Sequence, residues 1–338
     1  MNKALSVAVI GYGYWGPNLV RNFQEVEGAR VTLCCDLDLQ RLALAQTRSP
    51  GLQITGDYQS VLTNPAIDAV AIATPAPTHF ALAKAALESG KHVLIEKPMC
   101  LNVEHADELI ALAEKKGLTL MVDHVFVYNP AVEKMKEIVD AGRLGKLFYI
   151  DSVRINLGLF QHDVNVLWDL APHDLSIVDY LVGKSPRSVA AFGSVHANHD
   201  IEDVAYLNLD FGDGLVANFH VNWLSPVKVR HMIIGGSEQS LIYNDIDISE
   251  KVKVYNRGID VAAGTEERRQ VLISYRSGDV WSPKLGTEEP LARMAAHFVD
   301  CIRQAKKPRT DGNAGLRVVK VLAAAQRSIK AQGGRVVL

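Results

Sequence analysis

The sequence predicts a doubly wound α/β domain followed by an α+β domain. Three observations predict it. Over the first part of the chain, short Val/Ile/Leu-rich runs alternate with stretches that carry apolar residues at helical spacing, as in a parallel sheet buried on both faces. Near residue 145 this alternation stops, and strand-like runs follow one another with few helices between them. The chain has 338 residues, enough for two domains at about 150 residues each.

The apolar runs of the first part are residues 5–10, 30–35, 68–73, 92–95 and 118–122, without the in–out alternation of half-exposed strands. Helical spacing fills the intervals 17–26, 39–47, 77–89 and 103–116. The last sets Val103, Ala106, Ile110 and Ala113 on one face and Glu104, Asp107, Glu108 and Lys115 on the other. From residue 146 the strand-like runs are 147–155, 188–195, 205–211, 215–223, 229–235 and 239–243. Gly212-Asp213-Gly214 is a hairpin turn between two of them. One helix interrupts over about 165–182, and two close the chain over about 290–305 and 314–332. Residues 256–289 are polar and aperiodic and read as a long loop or arm. The domains are accordingly placed at 1–124 and 125–338, with the last helices able to return to the first domain.

Composition narrows the function. Lys plus Arg number 36 and Asp plus Glu 38, a net charge of −2, so the basic surplus of a nucleic-acid or anionic-membrane binder is missing. No apolar run reaches the roughly 18 residues needed to span a bilayer. The first apolar run breaks at Gly11 instead of continuing as a signal peptide. Cys34 and Cys35 are adjacent, Cys100 and Cys301 are isolated, and no C-x-x-C occurs, which fits a reducing compartment without a disulfide framework. The expectation is a cytoplasmic protein.

Gly11-Tyr12-Gly13-Tyr14-Trp15-Gly16 matches G-x-G-x-x-G, between the strand at 5–10 and the helix at 17–26. In that context it is a dinucleotide-binding turn rather than an ordinary strand–helix junction. Gly11 allows the tight turn, Gly13 admits the pyrophosphate to the backbone, and Gly16 lets helix and strand pack closely. The N–H groups at the helix start attract phosphate, and Pro17 suits a first helical position. Asp36 ends the second strand, 20 residues after Gly16. A carboxylate there accepts hydrogen bonds from ribose hydroxyls and repels a 2′-phosphate. No Arg flanks it, since Arg41 falls about one helical turn further on, so NAD is expected in preference to NADP. The same Asp could instead cap the next helix.

Two further motifs can carry chemistry. Glu96-Lys97-Pro98 follows the strand at 92–95, at the end of a parallel sheet where ligands bind, and a lysine there can stabilise a developing alkoxide. It could equally be a surface lysine. Asp169 and His173 lie four residues apart on one face of the helix at 165–182, whose Val166, Leu170, Ile177 and Leu181 mark another stripe. An acid one turn before a histidine can orient it, and a histidine is the natural general base at neutral pH. An exposed ion pair is the alternative reading. His79 and His124 follow strands and could face the same crevice, whereas His92, His105, His196, His199, His220, His231 and His297 read as ordinary positions. Trp15, Trp168, Trp223 and Trp281 read as packing residues. No cluster has zinc spacing, and no nucleophile elbow or Walker A loop occurs, so no metal is expected.

Together these motifs resemble the Gfo/Idh/MocA family, the glucose–fructose oxidoreductase and inositol dehydrogenase group, along nearly the whole chain. The motifs are Gly11–Gly16, Asp36, Thr74-Pro75 through His79, Glu96-Lys97-Pro98, and Asp169 with His173. The resemblance implies a Rossmann domain followed by an α+β domain with a large open, mostly antiparallel sheet. One face of that sheet lies on helices and the other serves oligomerisation, as a homodimer or homotetramer. It also implies a cis Lys97–Pro98 bond. It implies cofactor contacts from Gly11, Gly13, Tyr14, Trp15, Gly16, Asp36, Thr74, Pro75, His79, Glu96 and Lys97. By the same resemblance His173 takes the substrate hydroxyl proton, Lys97 bonds the same oxygen, and Asp169 binds substrate or orients His173. Hydride then passes from the carbinol carbon to the nicotinamide. Two departures stand out. Ala76 occupies a position that is often Asn, and the segment after the last parallel strand offers His124 and Tyr128 where an Arg is usual. These two, with Arg154 and Asn156, are the substrate-contact candidates. Arg154, Asn156 and His162 precede the helix and could meet a diphosphate or carboxylate. Residues 13–18 and 165–174 resemble bacterial members of nucleotide-sugar and surface-polysaccharide pathways. The implied reaction is oxidation of the C3 hydroxyl of UDP-N-acetylglucosamine or of its uronic acid. A dehydrogenase of a free polyol or sugar such as an inositol, or an NAD-binding regulator without catalysis, are the alternatives. The joint presence of Lys97, Asp169 and His173 weighs against the regulator.

Overall fold

The structure is a computed structural model that describes residues 4–158, 160–197, 200–262 and 272–338. His199 and part of the 256–289 stretch lie outside the described residues. In chain order the first elements are β1 (Leu5–Ile10), α1 (Gly16–Glu25), β2 (Ala29–Cys35), α2 (Leu39–Arg48), β3 (Gln53–Thr55), α3 (Tyr58–Leu62), β4 (Ala69–Ile72), α4 (His79–Glu88), β5 (His92–Glu96), α5 (Val103–Lys116) and β6 (Leu120–Asp123). After them come α6 (Pro130–Asp140), β7 (Leu147–Leu157), α7 (Val166–Val182), β8 (Ser188–Ser194), β9 (Val204–Asp210), β10 (Val216–Asn222), β11 (Leu224–Gly236), β12 (Ser240–Asn244) and β13 (Val252–Tyr255). The chain closes with β14 (Gly258–Ala262), β15 (Leu272–Arg276), β16 (Val280–Trp281), α8 (Pro290–Gln304), α9 (Gly312–Lys330) and β17 (Val336–Val337).

The chain divides into two compact units. One comprises residues 1–129 and 288–323, the other 130–287 and 324–338. In the first unit six parallel strands run in the order β3-β2-β1-β4-β5-β6. Ala8, Val9, Ala69, Val70, Ile72, Val93 and Ile95 are fully buried, which is why these strands read as continuous apolar runs. The strand order reverses between β1 and β4, and the carboxyl ends there form the crevice in which such sheets bind ligands. Helix α8 packs on α1 through an edge-to-face pair, Phe23 and Phe298, with ring centroids 6.0 Å apart. All four cysteines are buried free thiols. Burial pushes Cys34 and Cys100 up to about 12 and Cys35 to about 11.

In the second unit nine strands run in the order β16-β13-β12-β11-β7-β10-β9-β8-β17. Only the β7–β10 pairing is parallel; the others are antiparallel. Inward residues such as Ile150, Ala191, Leu207, Phe219 and Ile234 are buried, and α7 packs against β7, β9 and β10. The opposite face carries exposed Phe192 and Tyr206, the latter stacked on His220 at 4.4 Å. A polar ladder joins Asn208, Asn218 and Asp151 on the same face.

Outside the 256–289 stretch, five elements went unread in the sequence: β3, α3, α6, β13 and β17. The stretch 256–289 is more ordered than a loop. It holds the β14–β15 ribbon, and β16 pairs with β13 to extend the large sheet. Among the described residues no helix is long and apolar enough to cross a membrane.

Candidate active site

The glycine turn leaves β1 at its carboxyl end. Gly11 has φ +95°, and a Cβ there would lie 2.5 Å from the Ala73 carbonyl oxygen on β4's exit. A Cβ at Gly16 would lie 2.2 Å from the Gly11 carbonyl oxygen, so helix and turn touch only because the side chain is missing. Gly13 differs. Its nearest neighbour would be the tip of the Arg41 side chain at 3.6 Å, and otherwise the space before it is open. Helix α1 begins with no side-chain cap and no acidic residue in its first turn, so no side chain of its own start takes up its N–H groups. An open approach at Gly13 beside an uncapped helix start fits a dinucleotide's pyrophosphate. Tyr14 is exposed and Trp15 half-buried beside it.

Asp36 ties this turn to β2. Its Oδ2 accepts the Tyr12 N–H at 2.6 Å, and its Oδ1 accepts the Asp38 N–H at 2.8 Å. A carboxylate offers about four lone-pair sites, so ribose hydroxyls can still be accepted. Asp38, not Asp36, caps α2. One expectation is corrected here. Arg41 does stand beside Asp36, its Nη1 3.9 Å from Oδ2, because the α2 side chain reaches back over the turn.

Thr74 and Pro75 follow β4, and the Thr74 hydroxyl meets that of Thr78 at 2.7 Å. His79, expected in the crevice, is 1% exposed. Its ring nitrogens face the Pro98 and Thr74 carbonyls at 2.8 Å each, so it buckles the β4 and β5 exits together as an internal tie. Lys97 is half-buried at the end of β5, and the Lys97–Pro98 peptide is cis.

Beneath Lys97 lies an acidic pair. Glu96 and Asp123 are register partners on β5 and β6, both buried, and their carboxyl groups share a hydrogen bond. The Lys97 N–H donates to Glu96 Oε2 at 3.2 Å. Burial, then the neighbouring Asp123 charge, raises Glu96 well above the usual carboxylate range, and burial pushes Asp123 up to about 6. The Glu96 carboxyl is therefore turned into the sheet rather than outward as a cofactor contact. His124 is buried as well, and burial together with the Lys97 and Arg317 charges pushes it down to about 3, so its ring is neutral. Tyr128 is not at a surface. It is 2% exposed, with its hydroxyl on Thr310 Oγ1 at 3.1 Å and the Arg309 guanidinium 5.1 Å above its ring, because the short turn after β6 folds it inward.

In the second unit Asn165 caps α7 by accepting the Trp168 N–H at 3.1 Å, while its amide donates to Glu202 and Gln326 at 2.7 Å. That cap sets the start of the helix and brings Asp169 and His173 to one face, both half-buried. Asp169 Oδ2 accepts the indole N–H of Trp223 at 3.1 Å. Arg154, a substrate-contact candidate, is 2% exposed, and its Nε and Nη2 close on Asp174 at 2.8 Å each. It braces α7 from β7 rather than facing a ligand. Asn156 is half-buried further along the same strand face, and His162 is exposed. Among the described residues no group of His, Cys, Asp and Glu could hold a metal ion.

Sequence reasoning missed Asp123, Trp223 and the position of Arg41. Asp123 had a signal, since the two neighbouring parallel strands each end on an acid. Trp223 had none, lying 54 residues from Asp169.

Residues 5–124 match the model of the oxidoreductase family with an NAD-binding Rossmann fold, and residues 132–242 match the GFO/IDH/MocA C-terminal domain. The chain is 32% identical over 257 residues to a UDP-N-acetylglucosamine 3-dehydrogenase of Acidithiobacillus ferrooxidans, covering 75% of this chain and 76% of that protein. A solved structure of that dehydrogenase superposes with a TM-score of 0.81 at 25% identity, over 97% of this chain and 98% of the other. A scyllo-inositol 2-dehydrogenase (NAD(+)) of Bacillus subtilis is 27% identical over 329 residues, 91% of this chain and 89% of that protein.

Proposed function

The chain belongs to the GFO/IDH/MocA family of NAD-binding oxidoreductases, and from that premise we propose that it oxidises the C3 hydroxyl of UDP-N-acetylglucosamine or of its uronic acid. The observation that carries the reading is the chemistry of α7. Asp169 and His173 share one half-buried face, braced by the Asn165 cap and by Arg154 on Asp174. In this reading His173 takes the proton of the substrate hydroxyl, and Lys97 donates a hydrogen bond to the same oxygen, stabilising its negative charge. Asp169 accepts from a neighbouring substrate hydroxyl or from the His173 ring. NAD would supply the hydride acceptor for the carbinol carbon. Gly13 and the start of α1 would hold its pyrophosphate, and Asp36 would accept from its ribose. The substrate assignment is supported by the likeness to the UDP-N-acetylglucosamine 3-dehydrogenase. The longer match to a scyllo-inositol 2-dehydrogenase supports a second reading, a free polyol or sugar as substrate. A regulator without catalysis would have little use for Lys97, Asp169 and His173 together.

The proposal includes a homodimer or homotetramer, with the sheet face bearing Phe192 and Tyr206 covered by a second copy. A cytoplasmic location suits the four free thiols. The test is a thermal-shift panel on the NADH-bound protein with UDP-N-acetylglucosamine, its uronic acid, UDP, myo-inositol and glucose, followed by NADH formation from NAD with each. Stabilisation and turnover with a UDP-sugar beyond UDP alone support the reading. Response to inositol or glucose only would transfer the assignment to the second reading, and no turnover with any would refute both.

A further inference from the structure

Trp223 joins β10 to β11, and it is not a packing residue alone. It is 1% exposed, and a buried indole N–H needs an acceptor. A carbonyl would serve, yet the acceptor is the Asp169 carboxylate, on the same face of α7 as His173. Trp223 is held by its backbone and by its ring. The backbone that carries it is pinned on both sides, since the Trp223 main-chain N–H donates to the Asp203 carbonyl at 3.0 Å and the Trp223 main-chain carbonyl accepts the Gly158 N–H at 2.9 Å. The Phe160 ring lies 5.6 Å away, tilted at 59°. Gly158 leaves the indole its room, since a Cβ there would come within 2.6 Å of the Trp223 Cδ1. With Oδ2 held at 3.1 Å, the direction of Oδ1 is set as well.

The donor's chemistry matters. A lysine or arginine in this place would neutralise the carboxylate in an ion pair. An indole orients it through a donor that carries no charge of its own.

We propose that Trp223 is a positioning residue for Asp169, aiming the carboxylate through a hydrogen bond from an uncharged donor delivered over Gly158. The role in turnover rests on the proposed function; the contact itself does not.

The experiment uses the full chain with NADH bound and its four tryptophans labelled with 15N at the indole nitrogen. Trp223→Phe keeps an aromatic ring, removes the donor and assigns the Trp223 resonance by its loss. In Asp169→Asn the Trp223 resonance should move upfield while the other three stay, because the charged acceptor is gone. With the sugar that turns over, Trp223→Phe should lower kcat/KM about tenfold, the scale of one charge-assisted hydrogen bond, and leave NADH affinity unchanged. In the Asp169→Asn background the same change should cost little, since the two residues act as one unit. A resonance that ignores Asp169→Asn overturns the proposal, as does an undiminished tenfold cost in that background. If Trp223→Phe does not fold, Gly158→Ala, which crowds the indole from outside, assigns the resonance by its displacement, and Asp169→Asn still decides. Absence of turnover in the wild type would count against the proposed function, while the resonance would still report the contact.

Discussion

Replacing Gly13 or Gly16 by alanine adds the same methyl group to the same turn, yet the structure assigns the two changes opposite costs. At Gly16 the methyl would sit 2.2 Å from the Gly11 carbonyl oxygen. That is about 1 Å inside the closest real contact, and the obstacle is backbone held by β1, so α1 must move off the sheet. Overpacking of this kind costs about 1–3 kcal/mol, which lowers the melting temperature of a chain this size by a few degrees. At Gly13 the nearest atom would be the Arg41 tip at 3.6 Å, an ordinary contact with a mobile group. The change should therefore stay within about 0.5 kcal/mol of wild type. What the Gly13 methyl would meet is the pyrophosphate. Losing its close approach should raise the Kd for NADH on the order of 100-fold, equivalent to about 2.7 kcal/mol. Differential scanning fluorimetry without ligand and calorimetric titration with NADH separate the two effects. A Gly13→Ala protein that melts as early as Gly16→Ala, or that binds NADH as well as wild type, would refute the reasoning.

Three further outcomes are expected. Lys97→Ala and His173→Ala should each lower turnover roughly 100-fold or more with NADH affinity retained; normal turnover in either would remove that residue from the proposed chemistry. Asp36→Ala should weaken NADH binding and strengthen NADPH binding about tenfold or more, because the repelling carboxylate goes while Arg41 stays, 3.9 Å from where it stood; an unchanged NADH/NADPH ratio would mean Asp36 does not select the cofactor. The Glu96–Asp123 pair makes stability fall as pH rises. Both acids are raised in the folded chain, so above the ordinary carboxylate range the native state holds protons that the unfolded chain has released; stability falls as pH rises, Asp123's share being lost by the time pH has passed about 6 and Glu96's share continuing above it. In urea unfolding, Glu96→Gln should lose less stability than wild type between about pH 5 and about pH 8, and equal losses would show that the pair does not titrate in this way.

The legible parts of the protein were those where one short segment dictates both conformation and chemistry. Gly11, Gly13 and Gly16 sit between a fully apolar strand and a helix, so spacing alone located the turn and the end of β1. Asp169 and His173 share a helix face by simple periodicity. Short strands were illegible, because β3 has three residues and β13 only four, too few to show a period. Helix α6 was legible in principle, with Ala131, Val132, Met135 and Ile138 buried at helical spacing. Site residues were misjudged where tertiary contacts decide which way a side chain turns. Tyr128 and His124 follow a strand at the crevice yet fold inward, and Arg154 is drawn to Asp174, 20 residues away. Local sequence carries no record of those pairings.

The buried thiols have a practical consequence. Cys34 and Cys35 end the strand that Asp36 ties to the glycine turn, and Cys100 follows the turn that carries Lys97. With the thiolate so strongly disfavoured by burial, an alkylating reagent finds almost no nucleophile in the closed protein. Modification waits for the parallel sheet to open. The rate of labelling is then a clock for local opening at the cofactor-binding edge, built into the native chain and readable by mass without any introduced probe.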